Sequence, residues 1–251
     1  MISVIVLSFN TLPLLKECLG LLQGQLKEGV EILVVDNAST DGSVEWLQTQ
    51  NTIKTIYLKE NVGFGKGNNM GLRLATGKYT LLLNSDVLLK DKIDFQELIS
   101  FLEKDEKRAT SNYNITSISD EDVAQGIVAI DKSTNGRRTI PKAALTVELK
   151  LSDGTRDPAN HRGFPTPWNA FCYFTGLEKL SSLFGGYHLT SKDMTSVHEI
   201  DCPNAAFFLV KTDILKSIDG FDEDYFMYGE DIDLCYRIKE MGYSIWYYPK
   251  F

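Results

Sequence analysis

The strongest constraint on this chain is an alternation in its first ninety residues. Four short apolar runs, ISVIVLS (2–8), VEILVVD (30–36), IKTIYL (53–58) and YTLLLN (79–84), are separated by segments with helical spacing. LPLLKECLGLLQ (12–23) is the first such segment. A second passes through Val44, Trp46 and Leu47, with Asp41 as its cap. A third passes through Met70, Leu72 and Leu74 and stops at Gly77, placed as a C′ glycine would be. The runs are apolar at nearly every position, as in strands buried on both faces. Such strands alternating with helices predict an α/β fold with a parallel sheet covered on both sides.

Sheets of this kind bind ligands at the carboxyl ends of their strands. Here Ser8-Phe9-Asn10 follows the first run, Asp36-Asn37 the second and Asn84-Ser85-Asp86 the fourth. The last triplet interrupts LLLNSDVLL (81–89), so Asp86 reads as a carboxylate in a buried strand, where an unpaired charge is costly. A hard divalent cation would remove that cost. The alternative is an aspartate capping the next turn, and the triplet alone favours it. Three strand ends delivering polar groups to one edge reverse that preference. Asp36-Asn37 either reads a nucleobase or ribose or forms an Asx turn. GFGKGNN (63–69) resembles a phosphate cradle at a helix start, although its G-x-G-x-G order is not the dinucleotide fingerprint. Lys66 faces either a phosphate or solvent.

Beyond residue 104 the pattern weakens. IVAIDK (127–132) and LTVELKL (145–151) read as strands, and NGRRTIPK (135–142) as a basic hairpin or loop. The aromatic stretch 164–186 is helical after Pro167 and suits either a membrane face or a plain core helix. AAFFLVK (205–211) is a buried strand, Thr212 caps a short helix, a further helix starts near Glu230, and SIWYYP (244–249) is the final strand. The segment FDEDYFMYGEDIDLC is dense in acids but lacks the order of a calcium-binding loop. Glu230 and Asp231 sit between its aromatic residues and a helix start, where a carboxylate can act as a general base.

Composition bounds the rest. The 251 residues carry a net charge of −8, which argues against a general nucleic-acid binder. Cys18, Cys172, Cys202 and Cys235 form no CxxC pair and read as reduced thiols, so a cytoplasmic location is expected. No run reaches the ~18 apolar residues of a membrane span, so membrane contact would be peripheral, at the inner face. His161, His188 and His198 show no metal-binding spacing and read as surface or loop residues. Neither a Gly-x-Ser-x-Gly elbow nor a Walker lysine is present.

The blocks SVIVLSFN, ILVVDNASTDGS, ENVGFGKGNNMGLRLATGKYTLLLNSDV and GFDEDYFMYGEDIDLCYRIKEMGYSIWYYP together resemble family 2 glycosyltransferases of GT-A fold. They are most similar to the bacterial rhamnosyltransferase-like branch. The resemblance implies a Rossmann-like, mostly parallel sheet flanked by helices, with a smaller acceptor-side region. It divides one domain (1–251) into a nucleotide-sugar-binding half (1–104), a variable region that looks inserted (105–199), and an acceptor and catalytic-base half (200–251).

It also implies an inverting transferase that moves rhamnose or a related hexose from a dTDP- or UDP-sugar to a glycan or lipid-linked glycan, in cell-surface polysaccharide synthesis. Ser8, Asn10, Asp36, Asn37, Gly63, Asn68, Asn69, Asn84, Ser85 and Ala205 would then line the donor site. Asp86 would hold Mg²⁺ or Mn²⁺, Asp231 would be the base, and Glu230 would position the acceptor. Asn84 replaces the first Asp of the family's Asp-x-Asp motif. Ala205-Ala206 replaces Gly-Ala, narrowing the donor-sugar pocket. The family continues beyond the final Tyr-Pro with a histidine-bearing segment, so this sequence reads as truncated, with Asp86 as the sole protein ligand. The competing reading is a catalytically impaired nucleotide-sugar-binding module. A sugar nucleotidyltransferase is disfavoured, because SFNTLPLL lacks a glycine-rich basic loop.

Overall fold

A computed structural model describes residues 1–25, 29–111, 140–177 and 185–251, with side chains omitted for 105–111. The four expected strands form as β1 (Ile2–Ser8), β2 (Val30–Asp36), β3 (Lys54–Tyr57) and β4 (Tyr79–Asn84). Between them lie α1 (Leu12–Gln25), α2 (Ser43–Leu47) and α3 (Phe64–Leu74), and α4 (Phe95–Ser111) follows β4. The second part contributes β5 (Lys142–Val147), α5 (Pro167–Thr175), β6 (His198–Ile200), β7 (Phe207–Lys211), α6 (Thr212–Ser217), α7 (Glu230–Glu240) and β8 (Ser244–Tyr248).

All eight strands make one sheet in the order β3-β2-β1-β4-β7-β5-β8-β6. β3, β2, β1 and β4 run parallel, β7 is antiparallel to both β4 and β5, β8 is parallel to β5, and β6 is antiparallel to β8. Apolar side chains alternate between two cores, as the pleat requires. Val4, Val6, Leu81, Leu83, Phe207 and Leu209 join the helix stripe Leu15, Cys18, Leu19 and Leu22 on one face. Ile5, Leu82, Phe208 and Val210 join Leu72, Ile214, Leu234 and Ile238 on the other. Each fully buried leucine contributes roughly 2 kcal/mol of transfer free energy to that arrangement.

Two glycines let α3 lie flush on β1. A Cβ on Gly67 would stand 2.6 Å from Leu7 Cδ1, and one on Gly71 2.6 Å from Ile5 Cγ2. Much of the glycine run is therefore close helix-on-sheet packing.

Several local expectations change. The 145–151 strand is shifted: β5 occupies Lys142–Val147, because Lys142 to Leu145 pair with β8 and β7. Asp41 lies one residue before the cap position Gly42 and ties two helix starts together, accepting from Leu12 N (2.8 Å) and Ser43 Oγ (2.6 Å). Thr212 is the first residue of α6, not its cap, and shares a 2.8 Å hydrogen bond with Thr80. Gly77 is not a left-handed helix stop; a Cβ there would press on the Ser3 backbone. β6 was not expected from sequence. The strand expected at 127–132, most of the 135–142 hairpin and the 178–184 part of the aromatic helix lie outside the described residues.

Candidate active site

The polar strand ends meet as the alternation requires. Ser8 lies in register with Asp36 and Leu7 with Asn84, so β1, β2 and β4 stop level with one another. Hydroxyls join them: Ser8 Oγ is 3.0 Å from Thr11 Oγ1, which is 2.9 Å from Ser85 Oγ. Thr11 was not singled out in the sequence, because a threonine opening a helix carries no distinctive signal. Asp36 is fully buried; Oδ1 accepts from Ser39 N at 2.9 Å, and Oδ2 has no partner. Asn10, at φ 53°, accepts from Thr40 N at 2.7 Å and so holds the 38–41 turn around Asp36.

Other candidate residues serve the framework. Asn37 donates to Asn61 Oδ1 (2.8 Å) and Gly63 O (3.2 Å) and accepts from Val62 N (2.9 Å), so its whole amide is spent on the 61–63 turn. Asn68 donates to Phe64 O at 3.1 Å. Asn69 donates to Phe221 O (2.8 Å) and accepts from Phe221 N (2.9 Å), facing the second half of the chain. The phosphate cradle expected at Gly63 is closed by protein. Gly63 has φ 89°, a Cβ on it would collide with Phe226 O, and that carbonyl accepts from Phe64 N at 2.9 Å. Lys66 lies 3.8 Å from Glu223, so it pairs with an acid.

The premise about Asp86 also changes. β4 ends at Asn84, the chain turns at Ser85-Asp86, and Asp86 is exposed, so no desolvation cost arises. An exposed carboxylate suits a hard cation that takes its other oxygens from phosphates. Among the described residues no three His, Cys, Asp or Glu side chains converge as a metal cage.

The second half of the chain docks against this edge. Asn84 N donates to Ala206 O at 2.9 Å, which brings Ala205-Ala206 onto the triplet. Ala205 is buried at φ 55°. Of the six non-glycine residues with positive φ among those described, Asn10, Ala38, Ala205 and Tyr228 lie at strand ends or in the loop before α7. Backbone strain of this kind costs of order 1–3 kcal/mol and collects at functional sites.

Glu230 and Asp231 open α7, and the Asp231 side chain is held by the fold. Asp231 Oδ1 accepts from Ile232 N at 2.8 Å, and Oδ2 accepts from Arg162 Nη2 in a short ion pair. Arg162 is buried, its Nη2 also donates to Pro203 O at 3.2 Å, and its Nε is unpartnered. Burial opposes its charge, but Cys202 and Asp231 hold its pKa above the ordinary arginine value. Glu230 is buried with Oε2 unpartnered; burial raises its pKa, and the charge of Asp231 adds to the rise. Arg162 was missed because it lies in the aperiodic middle of the sequence, where only a three-dimensional pairing marks it.

Of the histidines expected at the surface or in loops, His188 lies in a turn and His198 on β6. His161 is buried, its Nε2 2.5 Å from His198 Nε2, and burial lowers its pKa to about 4. The four cysteines are free and buried. α5 is not a core helix: Trp168, Phe171, Tyr173 and Phe174 are exposed and only Cys172 is buried. No helix among the described residues is long and apolar enough to cross a membrane.

The sheet and its polar edge define a glycosyltransferase-type α/β fold, and comparison with known proteins agrees. The sequence model "Glycosyl transferase family 2" matches residues 3–142, and the chain belongs to that family. It is 30% identical over 117 residues to the glycosyltransferase GlyG of Streptococcus pneumoniae, covering 45% of this chain and 39% of that protein. It is 42% identical over 52 residues to the rhamnosyltransferase WbbL of Escherichia coli, covering 21% and 20% respectively. Among solved structures, the mannosyltransferase PcManGT of Pyrobaculum calidifontis, in complex with GDP-Man and Mn²⁺, superposes with a TM-score of 0.53 at 18% identity, covering 99% of this chain and 55% of that one. The fold is therefore GT-A. This chain spans well under two thirds of the length of each of these proteins.

Proposed function

We propose that this chain is the nucleotide-sugar-using domain of a glycosyltransferase that builds cell-surface glycans. One observation carries the reading. Five buried side-chain atoms among the described residues lack a hydrogen-bond partner, and three of them belong to Asp36, Arg162 and Glu230, beside the two clusters described above. Buried polar atoms are normally satisfied, so such a concentration marks where a ligand completes the bonding.

In this reading Asp36 Oδ2 accepts from the nucleobase or ribose, with Ser8, Asn10, Asn84, Ser85 and Ala205 around the donor. Asp86 and the donor's phosphate oxygens hold Mg²⁺ or Mn²⁺, whose chemistry is to neutralise charge on the departing diphosphate. Asp231 takes the proton from an acceptor hydroxyl as that oxygen bonds to the anomeric carbon. The carbon–phosphate-oxygen bond breaks on the opposite face and its electron pair leaves with the nucleoside diphosphate, giving inversion. Glu230 positions the acceptor. The identity shared with WbbL supports rhamnose as the sugar, and the donor in this reading is a dTDP- or UDP-sugar. The open aromatic face of α5 supports a lipid-linked acceptor met at the cytoplasmic face of a membrane. Residues 1–104 act as the donor half and 200–251 as the acceptor half of one domain.

The test is nucleoside diphosphate release from a panel of dTDP- and UDP-sugars with Mn²⁺ and glycan acceptors. Release that depends on acceptor and disappears in Asp231→Asn is expected. Donor binding by calorimetry without any turnover would instead identify a non-catalytic binding module, and absence of both would reject the reading.

A further inference from the structure

We propose that Arg162 is the positioning residue for Asp231: its guanidinium clamps Oδ2 and fixes the orientation of the carboxylate, leaving Oδ1 to receive the acceptor's proton. This rests on the reading of Asp231 as the base.

The clamp is built from four sides. Asn160, two residues before Arg162, is fixed to β5, donating to Val147 O at 2.7 Å and accepting from Thr146 Oγ1 at 2.9 Å. His161 meets His198 of β6. Arg162 itself exchanges backbone hydrogen bonds with Cys202, Arg162 N to Cys202 O at 3.2 Å and Cys202 N to Arg162 O at 3.0 Å. Its Nη2 reaches Cys202 Sγ (3.5 Å) and Pro203 O (3.2 Å) on the way to Asp231. The guanidinium therefore cannot swing away without breaking several bonds.

The electrostatics require a cation here. The Arg162 and Asp231 side chains are only 11% and 13% exposed. Asp231 is faced by Glu230 on its own helix, by Arg162, and by the thiols of Cys202 and Cys235, which burial keeps from ionising in the case of Cys235. Arg162 is thus the cation beside two carboxyls. Removing it would strip Oδ2 of its ion-pair partner and free the carboxylate to rotate. Each carboxylate oxygen has two lone pairs, and Oδ1 spends one on Ile232 N, so it retains one for the incoming proton.

The experiment is carbon NMR of protein labelled at aspartate carboxyls, with the Asp231 signal assigned by Asp231→Asn. The full chain is compared with Arg162→Gln and Arg162→Lys, each checked for folding by thermal melting. In Arg162→Gln the Asp231 carboxyl signal is expected to move and broaden as its orientation is released, and kcat for sugar transfer to fall by about tenfold or more, while KM for the donor and calorimetric donor affinity stay within twofold. Arg162→Lys, which keeps the charge without the fork, should restore less than half of the lost rate. A folded, active Arg162→Gln protein whose Asp231 signal and kcat are unchanged overturns the role of Arg162. A signal that moves in a protein transferring no sugar supports the clamp and overturns the proposed function alone.

Discussion

The two halves of the sheet bring polar groups to functional positions by different means. In the donor half, β1, β2 and β4 are parallel neighbours, and register alone sets Ser8 level with Asp36 and Leu7 with Asn84. From β5 onward the strands pair in mixed directions, and polar groups are held by side-chain clamps: Arg162 on Asp231, Asn204 on Asp157, Asn160 on Thr146. A site set by backbone register tolerates single side-chain changes. A site set by clamps does not, because one substitution releases a buried partner.

The largest effect that tests this contrast is chemical. Asp231→Asn should lower sugar transfer by about 10³-fold while donor affinity by calorimetry is unchanged. A comparable loss of donor affinity would show that the halves are not separable.

Acid should open the β5–β8 part of the sheet first. His161 has a pKa lowered to about 4, so the unfolded chain binds more protons between pH 6.5 and 4, and stability falls as pH drops through that window. The loss is on the order of 3 kcal/mol, measured by urea unfolding, and His161→Gln should flatten it. In the donor half, Glu31 is held near 2: against its burial, Ser3, Thr76 and Lys54 hydrogen-bond the charged form, and its contribution is lost only between pH 4.5 and 2. Hydrogen exchange at pH 5, corrected for intrinsic rates, should therefore show β6 and β8 less protected than β1 and β2.

Gly63→Ala should cost about 2 kcal/mol, because it meets both a left-handed φ and the Phe226 carbonyl; a shift in melting temperature reads it. The smallest effect is at Asp36. Asp36→Asn keeps the acceptor for Ser39 N and reverses polarity at the unpartnered oxygen, so donor affinity should fall about tenfold with the melting temperature unchanged.

The donor half was legible because its information is local. Each strand is an unbroken apolar run, and the parallel βα order fixes which ends lie together, so Ser8, Asp36 and Asn84 could be grouped before any coordinates. What the sequence did not show there was side-chain direction: Asn37 and Asn69 turn into the framework, and Asp86 turns out to solvent. Beyond β5 the three-residue β6 is too short to show periodicity, and Arg162 meets Asp231 across 69 residues of sequence. No spacing rule links them; the pair exists only because Cys202 bridges to Arg162 and α7 packs behind it.

The carbonyl of Phe226 has a wider consequence. It sits on Gly63 and takes the first amide of α3, so the aromatic loop before Asp231 is fastened to the turn that follows β3. Loop and turn are therefore packed as one unit. Under the proposed function, contact of an acceptor with the loop is expected to slow hydrogen exchange in the 61–64 turn.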